Sequence, residues 1–240
     1  MYKRALEGKE TAWGQEHTST LDTVNNLGLL YADQGRLQEA EAMYERALEG
    51  YETAWGREHT STLNTVNNLG NLYRNQGRLQ EAEAMYERAL GGKEKAWGRE
   101  HTSTLNTVNN LGLLYVDQGR LQEAEAMYKR ALEGYEAAFG AASNFTYIPA
   151  LLTLENFGLL CERNGQVHTA LLYYQRALVG TEAVWGQYDE RYLWLSTKLT
   201  SFERDTHEVS EREEPVQINT NRRLKWKKLG AKLSGMYKPK

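Results

Sequence analysis

A period constrains this chain more than any other feature. Trp13, Trp55 and Trp97 stand 42 residues apart, Phe139 follows after another 42, and Trp185 after 46. Between residues 16–55 and 58–97, 33 of 40 positions are identical; between 16–55 and 100–139, 35 are. Likeness at this level means duplication of one supersecondary unit, and units of this size bury their apolar faces by stacking on their neighbours.

Each unit reads as two helices. Leu21, Val24, Leu27, Leu30 and Tyr31 recur at steps of three and four, which is a single apolar stripe. Thr18, Ser19 and Thr20 offer hydroxyl caps before this first helix, and Gly35 supplies a left-handed stop after it. A second helix begins near Arg36 and carries Leu37, Ala40, Met43, Tyr44, Ala47, Leu48 and Tyr51 at the same period, until "WGREHTST" breaks it. The few residues between the two make them antiparallel neighbours. No strand pattern competes.

With "LGxxY" in the first helix and Ala40, Tyr44 and Ala47 in the second, the unit resembles the tetratricopeptide repeat. The match holds at Leu27, Gly28 and Tyr31 and at their copies; Val24 replaces the frequent tryptophan, and the proline usual after the second helix is missing. The 42-residue joint "AWGxEHTSTLxTVNNLG" resembles kinesin light chain-type repeats, which also occur in C-terminal arrays of fungal nucleotide-binding, immune-like receptors. The resemblance covers residues 1–186 and implies an all-α, right-handed helix-turn-helix solenoid that binds proteins.

The expected organisation follows from the register. Residues 1–14 hold only a second helix, residues 15–186 four repeats, 187–204 a capping helix, 205–221 a polar linker of disordered or extended type, and 222–240 a basic tail. Met1 aligns with Met43, Met85 and Met127, so the chain is expected to be a fragment of a longer receptor or to begin at an internal methionine. Tyr2, Ala5 and Leu6 are then left as an uncovered packing face, with self-association or fraying there as the expected consequence.

The copies differ where a binding function would have them differ. Asp22, Leu29, Ala32 and Asp33 become Asn64, Asn71, Arg74 and Asn75 in the second unit; the third has Asn106, Leu113, Val116 and Asp117. Steps of seven, three and one put these positions on one face of the first helix, and in tetratricopeptide arrays that face lines the concave groove. Asn25, Asn67 and Asn109 share it without varying, so an amide ladder is expected to hold the backbone of an extended peptide while its neighbours read side chains. Drift on a solvated face would also produce variation. The remaining changes, at positions 45, 49, 51 and 53, are expected on the outer surface and tail of the second helix.

Other chemistry finds little support. His17, His59 and His101 each stand alone in a joint, so no metal site is expected. The joint tryptophans read as wedges between units, and Cys161 as a buried core thiol. No glycine-rich phosphate loop, carboxylate pair or nucleophile triad can be assembled, so neither enzyme activity nor a cofactor is expected. The first helices of the first three units, without lysine and with Arg74 alone, disfavour a carboxylate clamp, and weaken any transfer of the acidic, Trp-containing cargo preference of kinesin light chains. The formal charge of −3 hides a tail of eight Lys or Arg without an acid, among them Arg222, Arg223, Lys225, Lys227, Lys228 and Lys232. Around the stripe Trp226, Leu229, Leu233 and Met236 these give a basic amphipathic segment suited to an anionic surface, an acidic partner or an import receptor. The expected function is therefore a cytoplasmic, non-catalytic module binding a protein or peptide in its Asn-lined groove, with no specific nucleic acid; the alternative is tail-driven targeting, membrane or nuclear.

Overall fold

The structure, a computed structural model, describes residues 1–140 and 146–212, with side chains up to residue 202. Among these residues it is entirely helical: α1 (Tyr2–Trp13), α2 (Thr18–Asp33), α3 (Leu37–Trp55), α4 (Thr60–Asn75), α5 (Leu79–Trp97), α6 (Thr102–Asp117), α7 (Leu121–Phe139), α8 (Ile148–Arg163), α9 (Val167–Trp185) and α10 (Glu190–Arg212). The pairs α2/α3, α4/α5, α6/α7 and α8/α9 are the repeats, so the fold is an all-α helical repeat solenoid. Met1–Leu199 form one compact unit, and Thr200 onward belongs to a second.

Local chemistry sets the helix ends, with one departure from the sequence reading. The N-cap is His17, not a hydroxyl residue: its Nδ1 accepts the Ser19 N–H at 3.2 Å, and His59 and His101 repeat this at 3.3 and 3.2 Å. An imidazole acceptor thus takes the place of the usual oxygen. Thr20 turns back instead, donating to the Gly14 carbonyl at 2.9 Å, and so ties the helix start to the preceding joint. At the other end Gly35 takes φ 71°, and the Arg36 N–H reaches the Tyr31 carbonyl at 2.9 Å, closing the helix with a left-handed residue as expected.

Packing depends on small residues beside large ones. Leu21, Val24, Ala47 and Tyr51 form one cluster, joined by Leu6 and Met43; Leu105, Val108, Ala131, Tyr135 and Ala150 form its equivalent two repeats on. A Cβ at Gly112 would stand 2.6 Å from the ring of Tyr128, which is 1 % exposed and cannot easily withdraw. Gly112→Ala is therefore expected to destabilise by about 1 kcal/mol, overpacking outweighing the helix propensity that alanine adds. A thermal midpoint lowered by a few degrees checks this; an unchanged or raised midpoint contradicts it.

Charged ladders run along the joints. Arg46 pairs with Glu10 at 2.6 Å, and Arg88 with Glu52, Arg130 with Glu94 and Arg176 with Glu136 repeat the contact. Arg78 reaches Glu41, and Arg120 reaches Glu83, each at 2.6 Å. Burial works against the charge of Glu41, but hydrogen bonds from Gln76 and Arg78 outweigh it and hold the carboxyl below its usual range. Arg36, Arg78 and Arg120 also lie over the rings of Tyr31, Tyr73 and Tyr115, about one ring-stacking distance away at 4.1, 4.0 and 4.1 Å.

The structure corrects further expectations. Position 51 is not on the outer surface: Tyr51 and its copies Lys93 and Tyr135 are 2 %, 2 % and 0 % exposed, because the end of the second helix runs under the next joint. Trp13 and Trp55 are not buried wedges, since they keep 55 % and 39 % of their surface and lean on His17 and His59, with ring centroids 5.2 and 4.3 Å apart, whereas Trp97 and Trp185 are half-buried. Leu6 is half-buried in the first cluster, which leaves Tyr2 and Ala5 as the uncovered face. Helix α10 continues to Arg212, so residues 205–212 of the expected linker are helical; no glycine or proline interrupts them before Pro215.

Candidate functional site

The first helices lie on the inside of the array. Helix α2 approaches α4, α4 approaches α6, and α6 approaches α8, whereas the second helices of successive repeats do not approach one another in this way among the described residues. A stack in which one set of helices is crowded and the other splayed curves toward the crowded set. The positions that differ between copies at 22, 29, 32 and 33 lie on these first helices.

Several of those positions are committed to the protein itself. Asp22 accepts the Tyr51 hydroxyl at 2.5 Å, Asn106 accepts that of Tyr135 at 2.6 Å, and Asn71 that of Tyr86 at 2.7 Å. Arg74 is bound to Asp117 at 2.5 Å, so it is not a free cation. Asn64 has only a long contact from Ser103 at 3.5 Å. Leu29 is 49 % exposed, Asp33 and Asn75 are exposed, and Ala32, Leu113 and Val116 are half-buried. These last six, with the exposed Asn64, are the positions of the set that keep accessible side chains without a close polar partner.

The asparagine ladder points along the array. Asn25 Oδ1 accepts from the Thr65 hydroxyl at 3.1 Å, Asn67 from Thr107 at 3.0 Å, and Asn109 from Thr153 at 3.0 Å. Each threonine proton is shared with the carbonyl four residues earlier, as with Thr153 and Pro149 at 2.8 Å. Asn110 and Asn156 add donors to Asn67 and Asn109. Asn109 is 8 % exposed. The ladder ends at the last joint, where Glu155 stands in the asparagine's place and Leu195 in the threonine's. Burial pushes the Glu155 carboxyl up, Oε1 has no partner, and Arg191 lies 4.0 Å from Oε2.

Between α6, α8 and the start of α10 the inner face deepens into a cavity of about 430 Å³. Leu113 and Val116 form one wall, Leu159 and Leu160 the other, and Tyr128 reaches it from α7 behind. The Tyr128 hydroxyl makes no hydrogen bond among the described residues, and burial pushes its acidity well out of reach. At the rim Glu162 accepts from Lys198 at 2.7 Å and from the Tyr174 hydroxyl at 2.6 Å. Burial opposes the Glu162 charge, but these two donors hold its carboxyl below the usual range. Arg163 sits beside them, exposed. Of this set the sequence reading supplies only Leu113 and Val116. The α8 wall was missed because the fourth unit diverges, although adding four to the repeat spacing puts Leu159 in register with Leu113 and would have found it.

Among the described residues no group of three His, Cys, Asp or Glu is placed to hold a metal ion, and no helix is long and apolar enough to cross a membrane. Cys161 is buried, which pushes its thiol up to about 11. The basic tail residues lie outside the described residues.

Comparison with known proteins agrees with this geometry. The tetratricopeptide repeat family model matches residues 1–53, 19–95 and 61–137. No curated protein matches the sequence. Among solved structures, BtubC (BKLC) from P. vanneervenii superposes with a TM-score of 0.72 at 20 % identity, over 100 % of this chain and 91 % of that one. Two crystal structures of a Podosopora anserina putative kinesin light chain with nearly identical TPR-like repeats, one of them a point variant, superpose with TM-scores of 0.65 at 22 % identity, over 81 % of this chain and 90 % of theirs. At these identities the likeness concerns the fold. That fold is a typical protein-interaction module and its family is generally non-catalytic. The chain belongs to the tetratricopeptide repeat family.

Proposed function

We propose that the inner face of α2, α4, α6 and α8 binds an extended peptide segment of a partner protein, with the cavity between α6 and α8 seating one apolar side chain. The observation that carries this reading is the cavity itself: about 430 Å³ with aliphatic walls from two repeats and Tyr128 in its lining. An apolar anchor supplies the affinity and a few polar groups fix its orientation, which is the usual make-up of a binding pocket. Leu29, Asp33 and Asn75 extend the same face toward the first repeat and give the peptide further side-chain contacts.

The test is selection of peptides from a random library on the whole chain, followed by affinity measurement on variants. Leu113→Arg and Leu159→Arg each put a charge into the cavity from side chains already in contact with it. Each is expected to weaken the selected peptides at least about tenfold, or 1.4 kcal/mol. Leu172→Arg, on the outer face of α9 and 54 % exposed, is expected to leave binding unchanged. Peptides that bind all three variants equally would place the binding surface elsewhere.

A further inference from the structure

We propose that the last joint, where the start of α10 meets α8 and α9, is a proton-sensitive clasp: α10 holds firmly while the Glu155 carboxyl carries a proton and loosens when it is ionised. The clasp does not depend on the peptide-binding reading.

From α2 onward each joint brings three positions together, one from each helix that meets there. They are Asn25, Tyr51 and Thr65 in the first, Asn67, Lys93 and Thr107 in the second, and Asn109, Tyr135 and Thr153 in the third. In all three the threonine hydroxyl donates to the asparagine, at 3.1, 3.0 and 3.0 Å. The residue between them also finds an acceptor: Asp22 for Tyr51, Thr107 for Lys93 and Asn106 for Tyr135. In the fourth joint the set is Glu155, Thr181 and Leu195, and Leu152 stands where Asp22 and Asn106 accept.

These exchanges leave the last joint without its polar closure. A leucine has no hydroxyl to donate, and a threonine is too short to take the place of a tyrosine or a lysine. Glu155 Oε1 and Thr181 Oγ1 are both buried without a hydrogen bond, and no other buried side-chain nitrogen or oxygen among the described residues is in that state. The Glu155 side chain is 14 % exposed, and Thr181 and Leu195 are fully buried. An ionised oxygen without a donor is costly in such a place, whereas the neutral acid costs far less.

The charged groups that face Glu155 come from the start of α10, since α9 presents only the neutral Thr181. Arg191 stands 4.0 Å from Oε2 and is largely solvated, and Asp189 repels. Burial is the largest influence and lifts the carboxyl above its ordinary 4.5. The docked state therefore binds this proton more tightly than the undocked state does. The penalty on docking is full above the raised value, shrinks as pH falls through it, and is gone below the ordinary one. Other acids of the joint act in the opposite sense: Asp189 accepts the Arg191 N–H at 2.9 Å, and Glu162 holds Lys198 at 2.7 Å, so protonating either weakens the hold on α10. A firmer joint in acid is thus the mark of Glu155. A loosened α10 also carries Lys198 away from Glu162 and opens one side of the cavity's rim.

The test is hydrogen exchange on the full chain, resolved by fragment and corrected for the intrinsic rate, from about pH 8 to about pH 5.5. Protection of residues 190–199 is expected to rise at least about tenfold over that range, while α4, whose joint has its asparagine and threonine, does not gain. Glu155→Gln keeps the shape and removes the charge. It is expected to show at about pH 8 the protection that the unaltered chain reaches only in acid, with no further rise. Leu195→Thr restores the donor of the other joints, is expected to flatten the profile as well, and serves where Glu155→Gln does not fold. The proposal is overturned if residues 190–199 of the unaltered chain gain no protection in acid, or if the substituted chains keep the unaltered chain's dependence on pH.

Discussion

Lys93→Tyr is expected to stabilise the protein by about 3 kcal/mol at pH 7, an unusual direction for a core substitution. Lys93 is 2 % exposed, and its Nζ has only the Ser103 carbonyl at 3.3 Å and the Thr107 hydroxyl at 3.1 Å as acceptors, with no ion pair among the described residues. Burial pulls its ammonium down to about 8 from the usual 10.5. The folded state therefore binds this proton less tightly than the unfolded state does. The penalty is full below pH 8, shrinks as pH rises from 8 toward 10.5, and is gone above it. The neighbouring copies show what fits instead: Tyr51 donates to Asp22, and Tyr135 donates to Asn106 at 2.6 Å. The second repeat has Asn64 in that acceptor position, so the tyrosine would find its partner waiting. Urea unfolding of both proteins at about pH 7 and about pH 9.5 checks the claim. The advantage of Lys93→Tyr is expected to be largest at neutral pH and to narrow at the higher one; an advantage that is absent, or that grows with pH, would show that Lys93 is not carrying a buried charge.

The same position marks the boundary of what the sequence made legible. Helix pairs, their antiparallel order and the repeat count followed from apolar periodicity, because a stripe such as Leu21, Val24, Leu27 and Tyr31 answers to the α-helix alone. The identity of a joint's interior did not follow, since joints are long-range contacts between residues about one repeat apart, which no local period encodes. Tyr51 falls on the helix tail when the helix is read by itself, and its packing on Leu21 and Val24 and its bond to Asp22, 29 residues back in the chain, are what bury it. His17 has no second ligand when weighed as a metal site, and its acceptor nitrogen matters for the backbone instead. That the variable positions of the first helices share a face is legible from their spacing. Which of them remain open was not visible, because Asp22, Asn71 and Asn106 each lose their free oxygen to a tyrosine hydroxyl of the second helix.

Replacing Asn25, Asn67 and Asn109 together by alanine is expected to lower stability by about 3 kcal/mol while leaving the peptide affinity of the folded chain within about threefold. The three side chains make five hydrogen bonds across three different joints, to Thr65, Thr107, Asn110, Thr153 and Asn156. Each is worth about 1 kcal/mol net, and alanine returns about 0.6 kcal/mol of helix propensity at each site. The joints are separate, so the losses should add. Because each bond couples one repeat to the next, the loss falls on the nearest-neighbour interfaces, and the unfolding transition is expected to broaden as well as shift. Two measurements separate this from an amide ladder that serves a ligand. A double-mutant cycle of Asn67→Ala with Thr107→Val is expected to give a coupling energy of about 1 kcal/mol, which a ligand-facing asparagine would not show. Peptides selected on the unaltered chain are then titrated into the triple variant under conditions where it is folded. If their binding vanishes while the unfolding curve stays where it was, the asparagines face the partner rather than the next repeat, and the inner face reads backbone as well as side chains.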